Sequence, residues 1–472
     1  MSTSRRILKN LASLTIAEIA NKGLVFVATV YLARVLLPDG FGLYSWVNTF
    51  TMYFVFFTNL GFDIVGTREI AKNKDDVPKY VNNVVSARIL ISIFVTILYT
   101  GIVLNLDQPL YVKSVFLISG VNMFSNAILL DWVYKGIERM GILALRQVIT
   151  SSSNLIGIII FVHTPEHVHI AVAIIAVSTF LNSVWMYLLY KKLYTSFKFQ
   201  FDKQLIKYLG KASVPIAFFA ILSTLMNSLN INLIGFFDLV DDSERTIGLY
   251  SAANRLLSLG VIPATIIQSA FLPLLSRSET KEERAKVLEK FLTLLFFAGA
   301  IIAAGIYTYA EFFVETAFEA DYSESIPALR ILMFTCGMAY LSVGGCIPLI
   351  AWKKERTAMY IIAVAVGINL VMNLILIPKY NVEGAALATI FSEASVAIVA
   401  SIVVGRIVGK AYSLRLFIFV ALAVVSCYLG YLIHQQGLHE VISGGISLII
   451  YIALNLTFKT ITLSEIRGYL KK

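Results

Sequence analysis

The chain has 472 residues, 58% of them hydrophobic and only 14% charged, with 39 Lys and Arg against 29 Asp and Glu and a mean hydropathy of +0.78. A soluble domain carries about 25% charged residues, so a water-facing surface of this size cannot be built from so few, and the bilayer must be the solvent. The basic surplus forms no tail and no patch interleaved with aromatics, which argues against nucleic acid. It lies in short clusters between apolar runs, as in cytoplasmic loops facing anionic lipid.

A transmembrane helix needs about 20 mostly apolar residues to cross about 30 Å of hydrocarbon. The sequence predicts spans at 11–35, 42–66, 82–106, 113–135, 142–163, 168–190, 212–237, 249–275, 287–311, 327–351, 357–377, 384–405, 414–434 and 440–460. Arg5, Arg6 and Lys9 precede the first, but no small-residue cleavage site follows, so it reads as a helix and not a removed signal peptide. The loops are too short to house a folded domain. The longest, 191–211, ends with Leu205, Ile206, Tyr208 and Leu209 among lysines, which predicts an amphipathic helix on the membrane surface. Cys336, Cys346 and Cys427 fall inside apolar runs and form no CxxC pair.

With the N-terminus inside, 31 of the 39 Lys and Arg residues fall on the inner side. Arg34, Lys113, Arg245 and Lys379 fall in outer loops, and Lys22, Arg88, Arg255 and Arg330 within spans. The positive-inside rule then puts both termini in the cytoplasm and requires an even span count. The outer loops are acidic instead, as at Asp238, Asp241, Asp242 and Glu244.

Gly42-Leu43-Tyr44-Ser45 recurs 206 residues later as Gly248-Leu249-Tyr250-Ser251, and Asn48 matches Asn254 at the same offset. Both copies open an out-to-in span, the second and the eighth. Duplication of a six-span unit would relate the copies by an axis along the membrane normal. The expected architecture is therefore an all-α integral membrane protein of about fourteen transmembrane helices. Its expected parts are an N-terminal six-helix lobe at 1–190, a cytoplasmic linker with the amphipathic helix at 191–211, and a C-terminal six-helix lobe at 212–410. Two extra helices and a cytoplasmic tail occupy 411–472.

Ionisable groups inside spans cost from about 2.5 kcal/mol upward, which makes them functional candidates. Glu18 and Lys22 are spaced i,i+4 and can neutralise one another; Thr15, Asn21 and Thr29 extend the stripe toward a cavity-facing helix. Arg255 lies seven residues inside the eighth span, too deep to reach the outer headgroups with ease. Glu393 sits near the middle of the twelfth. Asp63, Arg88 and Asp131 near inner ends and Arg330 near an outer end fit snorkelling or helix-end pairs equally well. Asn122, Asn126, Asn154, Asn182, Asn227, Asn230, Asn369 and Asn373 suit helix packing one by one, yet together favour a hydrated interior. His163, His167 and His169 share a short loop with Pro165 and have no Cys partners, so a metal site is not expected. No GxxxxGK[ST] loop, GxSxG or HExxH motif is present, which argues against an ATPase and against an enzyme.

The stretch Gly367-Ile-Asn369-Leu-Val-Met-Asn373-Leu-Ile-Leu-Ile-Pro378-Lys-Tyr-Asn381-Val-Glu-Gly384-Ala-Ala-Leu-Ala-Thr-Ile-Phe-Ser-Glu393 resembles the polysaccharide-biosynthesis transporter family, which includes Wzx-type O-antigen flippases. That family commonly has Gly where this chain has Asn381, a residue that also tolerates positive φ. Phe41-Gly-Leu-Tyr-Ser, Leu60-Gly-Phe-Asp, Thr67-Arg-Glu-Ile-Ala and Tyr250-Ser-Ala-Ala-Asn-Arg255 agree, the last being similar also to lipid II flippases, in which the matching arginine lies in the central cavity. The resemblance extends to MATE exporters of the same superfamily. It implies two six-helix lobes in a V shape that pass an undecaprenyl-pyrophosphate-linked oligosaccharide across the inner membrane.

On that reading the candidate substrate contacts are Arg255, Lys22, Arg88, Arg330, Asn48 and Asn254. The candidate ion-coupling carboxylates are Glu18, Glu393, Asp63 and Asp131. No cofactor is expected; a proton or sodium gradient would drive the cycle. The expected partners are the lipid-linked glycan, membrane lipids and other polysaccharide-assembly proteins. A MATE-like drug or cation exporter of the same fold is the alternative, but deep cations at Lys22 and Arg255 suit an anionic substrate better. A non-transporting scaffold would leave the duplication and the embedded charges unexplained.

Overall fold

The structure, a computed structural model, describes residues 3–237, 240–409 and 414–461. Asp238 and the end of the expected tail lie outside them, as do the side chains of Thr15 and Asn227. Among the described residues there is no strand. The helices in the first half are α1 (Thr3–Asn59), α2 (Phe62–Lys72), α3 (Val77–Leu104), α4 (Leu110–Ser119), α5 (Val121–Ile128), α6 (Asp131–Gly136), α7 (Met140–Phe161) and α8 (Val168–Leu193). The second half adds α9 (Lys203–Phe237), α10 (Ser243–Arg277), α11 (Lys281–Thr308), α12 (Ala310–Phe318), α13 (Ile326–Ala351), α14 (Glu355–Val408), α15 (Leu414–His434) and α16 (Glu440–Thr457).

Among the described residues, eleven helices are long and apolar enough to cross a membrane, or twelve if the pair bent by 65° within α9 is one span. Helix bounds thus number fewer than the fourteen expected spans. The reason is local: two of the eleven, Ala20–Lys72 and Glu355–Val408, exceed fifty residues, and each covers two expected spans joined across a very short break. In α1 the break is Leu37 at φ 58°. Pro38 follows it, clashes with a helical conformation at the preceding residue and supplies no N–H to the ladder. In α14 it is Asn381 at φ 46°, a positive φ that costs Asn less than most residues. Rows of apolar side chains face outward, such as Phe94 at 68% and Ile97 at 67% exposure on α3, as a lipid-facing surface requires.

Contacts divide the chain into two compact units, residues 1–235 with 242–248, and residues 236–241 with 249–472. In the first unit, Trp132, Tyr134, Val84, Ile70 and Met186 form a buried cluster. Gly66 lets α2 lie flat on it, since a Cβ there would sit 2.6 Å from the Trp132 ring. Both repeat glycines serve one backbone crossing in this unit. A Cβ on Gly42 would stand 1.7 Å from Glu244 O, and one on Gly248 would stand 1.9 Å from Pro38 O.

The segment before α9 is an extended strap. Its alternate N–H groups at Lys198, Gln200 and Asp202 donate to Asn82 Oδ1, Ser86 Oγ and Asn83 Oδ1 of α3. Asp202 then caps α9 through Gln204 and Leu205 N–H. The helix expected near 205–209 begins here, with Leu209 fully buried, and runs on into the next span.

In the second unit, small residues bring helices into contact. Gly345 of α13 lies against Ala400 of α14, and Gly299 of α11 against the Tyr340 ring, whose hydroxyl donates to Gly260 O of α10 at 2.8 Å. The last two helices pack on α11: Tyr451 of α16 stacks on Phe297 at 5.1 Å and donates to its carbonyl at 3.0 Å.

Candidate functional site

The first unit brings three of the expected residues into one polar cluster. Arg88 on α3 is fully buried, and its Nη1 donates to Asp63 Oδ1 of α2 at 2.8 Å and to Leu129 O at 3.4 Å. Its Nη2 donates to the backbone and side-chain oxygens of Asn126. The other Asp63 oxygen accepts from Asn59 Nδ2 at 2.5 Å. Asp131 pairs with Arg146 Nη2 of α7 at 2.7 Å, and both side chains are mostly buried. Such pairing is what makes charges tolerable away from water. Arg88 has no face open to a ligand here; its geometry is that of a tie between α2, α3 and the end of α5.

A polar ladder continues along α7. Ser151 donates to Asn21 of α1, Asn182 of α8 donates to Thr150, and Ser178 of α8 donates to Asn154. Thr29 donates to its own helix at Val25 O and is buried. Asn21 and Thr29 are therefore turned into the packing of this unit, where the sequence suggested a cavity-facing stripe. At the start of the same helix, Lys22 and Glu18 pair at 3.6 Å with 38% and 56% of their side chains exposed. Asn48 is partly buried and donates to Tyr44 O at 2.7 Å.

The second unit has its own cluster. Glu393 on α14 accepts from Ser342 Oγ of α13 at 2.9 Å. One turn away Asn369 donates to Ser392 Oγ at 3.1 Å, Asn373 donates to Asn369 Oδ1 at 2.9 Å, and Tyr250 and Thr389 share a hydrogen bond at 3.1 Å. The i,i+4 spacing of Asn369 and Asn373 and the Ser392-Glu393 pair were visible in the sequence. Ser342 as the carboxylate's partner was not, because it lies 51 residues away in an unremarkable apolar run.

Arg255 is unlike the paired charges of the first unit. It is exposed, and among the described residues it has no carboxylate within ion-pair distance. It stands on α10 about 18 Å along the axis from Ser243, at 1.5 Å per residue. Asn254 beside it is partly buried. Arg330 is exposed at the start of α13 and lines a separate cavity of about 410 Å³ with α12, α15 and α16. The three loop histidines bond locally, His163 to Ile160 O and His169 to Glu166 O, while the His167 ring accepts from His163 N–H.

Long apolar helices, an outward apolar surface and polar clusters turned inward define a multi-pass membrane protein. Its fold is shared with an inward closed structure of the lipid II flippase MurJ, with a TM-score of 0.80 at 14% identity over 94% of this chain and 98% of that one. A family model described as polysaccharide biosynthesis protein matches residues 7–279, more than half of the sequence, and the chain belongs to that family. It is similar to the capsular polysaccharide biosynthesis protein CapF of Staphylococcus aureus, 23% identical over 82% of this chain and 96% of that one. It is also similar to a putative O-antigen transporter of Shigella dysenteriae, 21% identical over the same shares. The chain stands with transporters and not with enzymes.

Proposed function

We propose that this protein is a flippase that moves an undecaprenyl-pyrophosphate-linked oligosaccharide across the cytoplasmic membrane, with both termini in the cytoplasm and fourteen crossings. Several hydroxyls cannot pass hydrocarbon unaided, since each costs about 4–8 kcal/mol without a hydrogen-bond partner. The protein must supply those partners and a counter-charge for the pyrophosphate. The observation that carries the reading is Arg255, an exposed cation without a carboxylate partner on a membrane-spanning helix. A guanidinium offers a planar fork suited to phosphate oxygens. Lys22 is the second proposed contact; its 3.6 Å pairing with Glu18 is loose and exposed enough to be exchanged for substrate.

Alternating access driven by a proton or sodium gradient is the proposed cycle, and Glu393 is the proposed coupling carboxylate. It accepts from Ser342 within a membrane-spanning helix pair, beside the hydrogen-bonded Asn369 and Ser392, where gain or loss of one positive charge is felt strongly. The test is accumulation of substrate. Cells depleted of the protein should lose surface glycan and build up the undecaprenyl-linked glycan on the inner leaflet. Loss of drug resistance with normal surface glycan would favour an exporter instead.

A further inference from the structure

At one end of the second unit, where α12, α13, α15 and α16 meet, lies a cavity of about 410 Å³. This is within the ~300–1,000 Å³ range of small-molecule sites. Glu311, Phe312, Glu315, Arg330, Tyr431 and Glu440 line it. Two features make it more than a gap between helix ends. The first is unmet hydrogen-bonding capacity. Glu311, Glu315 and Arg330 are exposed, and among the described residues none of the three side chains has a hydrogen bond or ion pair, although carboxylates and guanidinium line the same space. The second is that the walls are held. His434 bonds to Leu438 O at 2.8 Å and lies 3.7 Å from Glu440, while His439 accepts from Val441 N–H and meets the Phe312 ring edge-on at 6.4 Å. Tyr309 shares a hydrogen bond with Ser447 of α16 at 3.2 Å. The α15–α16 turn and α12 are thereby fixed around open polar groups.

We propose that this cavity is a saccharide-binding site that takes a neutral or amino-bearing sugar of the transported glycan. A sugar ring has an apolar C–H face and a rim of hydroxyls. Phe312 and Tyr431 offer aromatic surfaces to the first. Carboxylates and a guanidinium accept from and donate to the second, and such charge-assisted bonds are the stronger kind. The sign of the lining sets the class of ligand. Three carboxylates against one guanidinium disfavour phosphate and uronic acids, so the pyrophosphate is held elsewhere and the sugar alone enters. The site gives the last two helices a role outside the duplicated spans. It rests on the proposed flippase function only for the identity of the glycan, and the proposed orientation puts it on the outer side.

The test is saturation-transfer NMR on the purified full-length protein in detergent, with glucosamine, N-acetylglucosamine and glucuronate as probes. Glucosamine and N-acetylglucosamine should give signals at least threefold stronger than glucuronate. Glu315→Gln and Arg330→Gln should each weaken those signals at least threefold without lowering the melting temperature, because both side chains are exposed and unpaired. The pair Glu311→Gln with Glu315→Gln should bring glucuronate level with glucosamine. Absence of saccharide signals, a preference for glucuronate, or signals untouched in both single variants would overturn the site. Inorganic pyrophosphate, followed by phosphorus NMR and expected to depend on Arg255, is the separate arm. Its failure with the saccharide arm intact would count against the flippase reading and leave this cavity's assignment standing.

Discussion

Replacing Arg88 and Asp63 one at a time and together shows whether the buried pair is a structural tie. Arg88 has none of its side chain exposed, while 34% of the Asp63 side chain is exposed. Removing one partner of a buried pair costs about 3–5 kcal/mol. Arg88→Met leaves Asp63 with Asn59 and some water, so its cost should lie at the lower end, about 3 kcal/mol. Asp63→Leu leaves a guanidinium wholly buried with only the oxygens of Asn126 and Leu129, and should cost more, about 4–5 kcal/mol. An apolar pair in place of a buried ion pair is often near neutral, so the double variant should come within about 2 kcal/mol of the wild type. Unfolding in mixed detergent–SDS micelles reads all three, and the double-mutant cycle isolates the coupling. The double variant should also keep most of its glycan export if Arg88 does not touch substrate. Additive losses, or a stable double variant with no export, would refute the structural assignment.

Four further outcomes follow from the same structure. Arg255→Ala should abolish export while shifting stability by less than about 0.5 kcal/mol, as for surface changes without partners, and Arg255→Lys should keep part of the activity because charge without the fork remains; export normalised to membrane protein level decides. Glu393→Gln can still accept from Ser342, so it should fold normally and export poorly, and full export would remove it from coupling. Gly42→Val should destabilise by about 1–3 kcal/mol or more, the cost of overpacking, because the 1.7 Å approach is to a backbone oxygen that no rotamer change can move; an unchanged melting temperature would contradict the crossing. For orientation, a cysteine at exposed Ser323 should react with an impermeant thiol reagent from outside and one at exposed Glu282 should not.

Much of the fold was legible because the bilayer permits few solutions. Apolar runs of span length predicted helices, and Asn381 in a resembling motif predicted the turn that breaks α14. The fine divisions were less legible. The 113–135 run is divided into α4, α5 and α6, with helical φ/ψ kept at Gly120 and an extended residue at Leu129, while hydropathy stays high. The repeat tetrapeptide was visible, but its glycines are explained only by the backbone crossing at Gly42 and Gly248. For the polar residues, sequence could name Asp131 and Arg88 but not their partners. Arg146 and Asn126 meet them across helix interfaces that no local pattern encodes. Arg330 read as a helix-end cation, and the cavity it lines depends on residues from five helices spread over more than a hundred positions.

The most direct measurement is translocation by the purified protein in vesicles that carry an undecaprenyl-pyrophosphate oligosaccharide on the inner leaflet only. An impermeant glycosidase added outside reports each glycan that crosses. Cleavage should rise over time in vesicles with the wild-type protein, accelerate with an imposed ion gradient, and fall to the protein-free level with Arg255→Ala. Cleavage no faster with the wild-type protein than in empty vesicles, with or without a gradient, would contradict the proposed function.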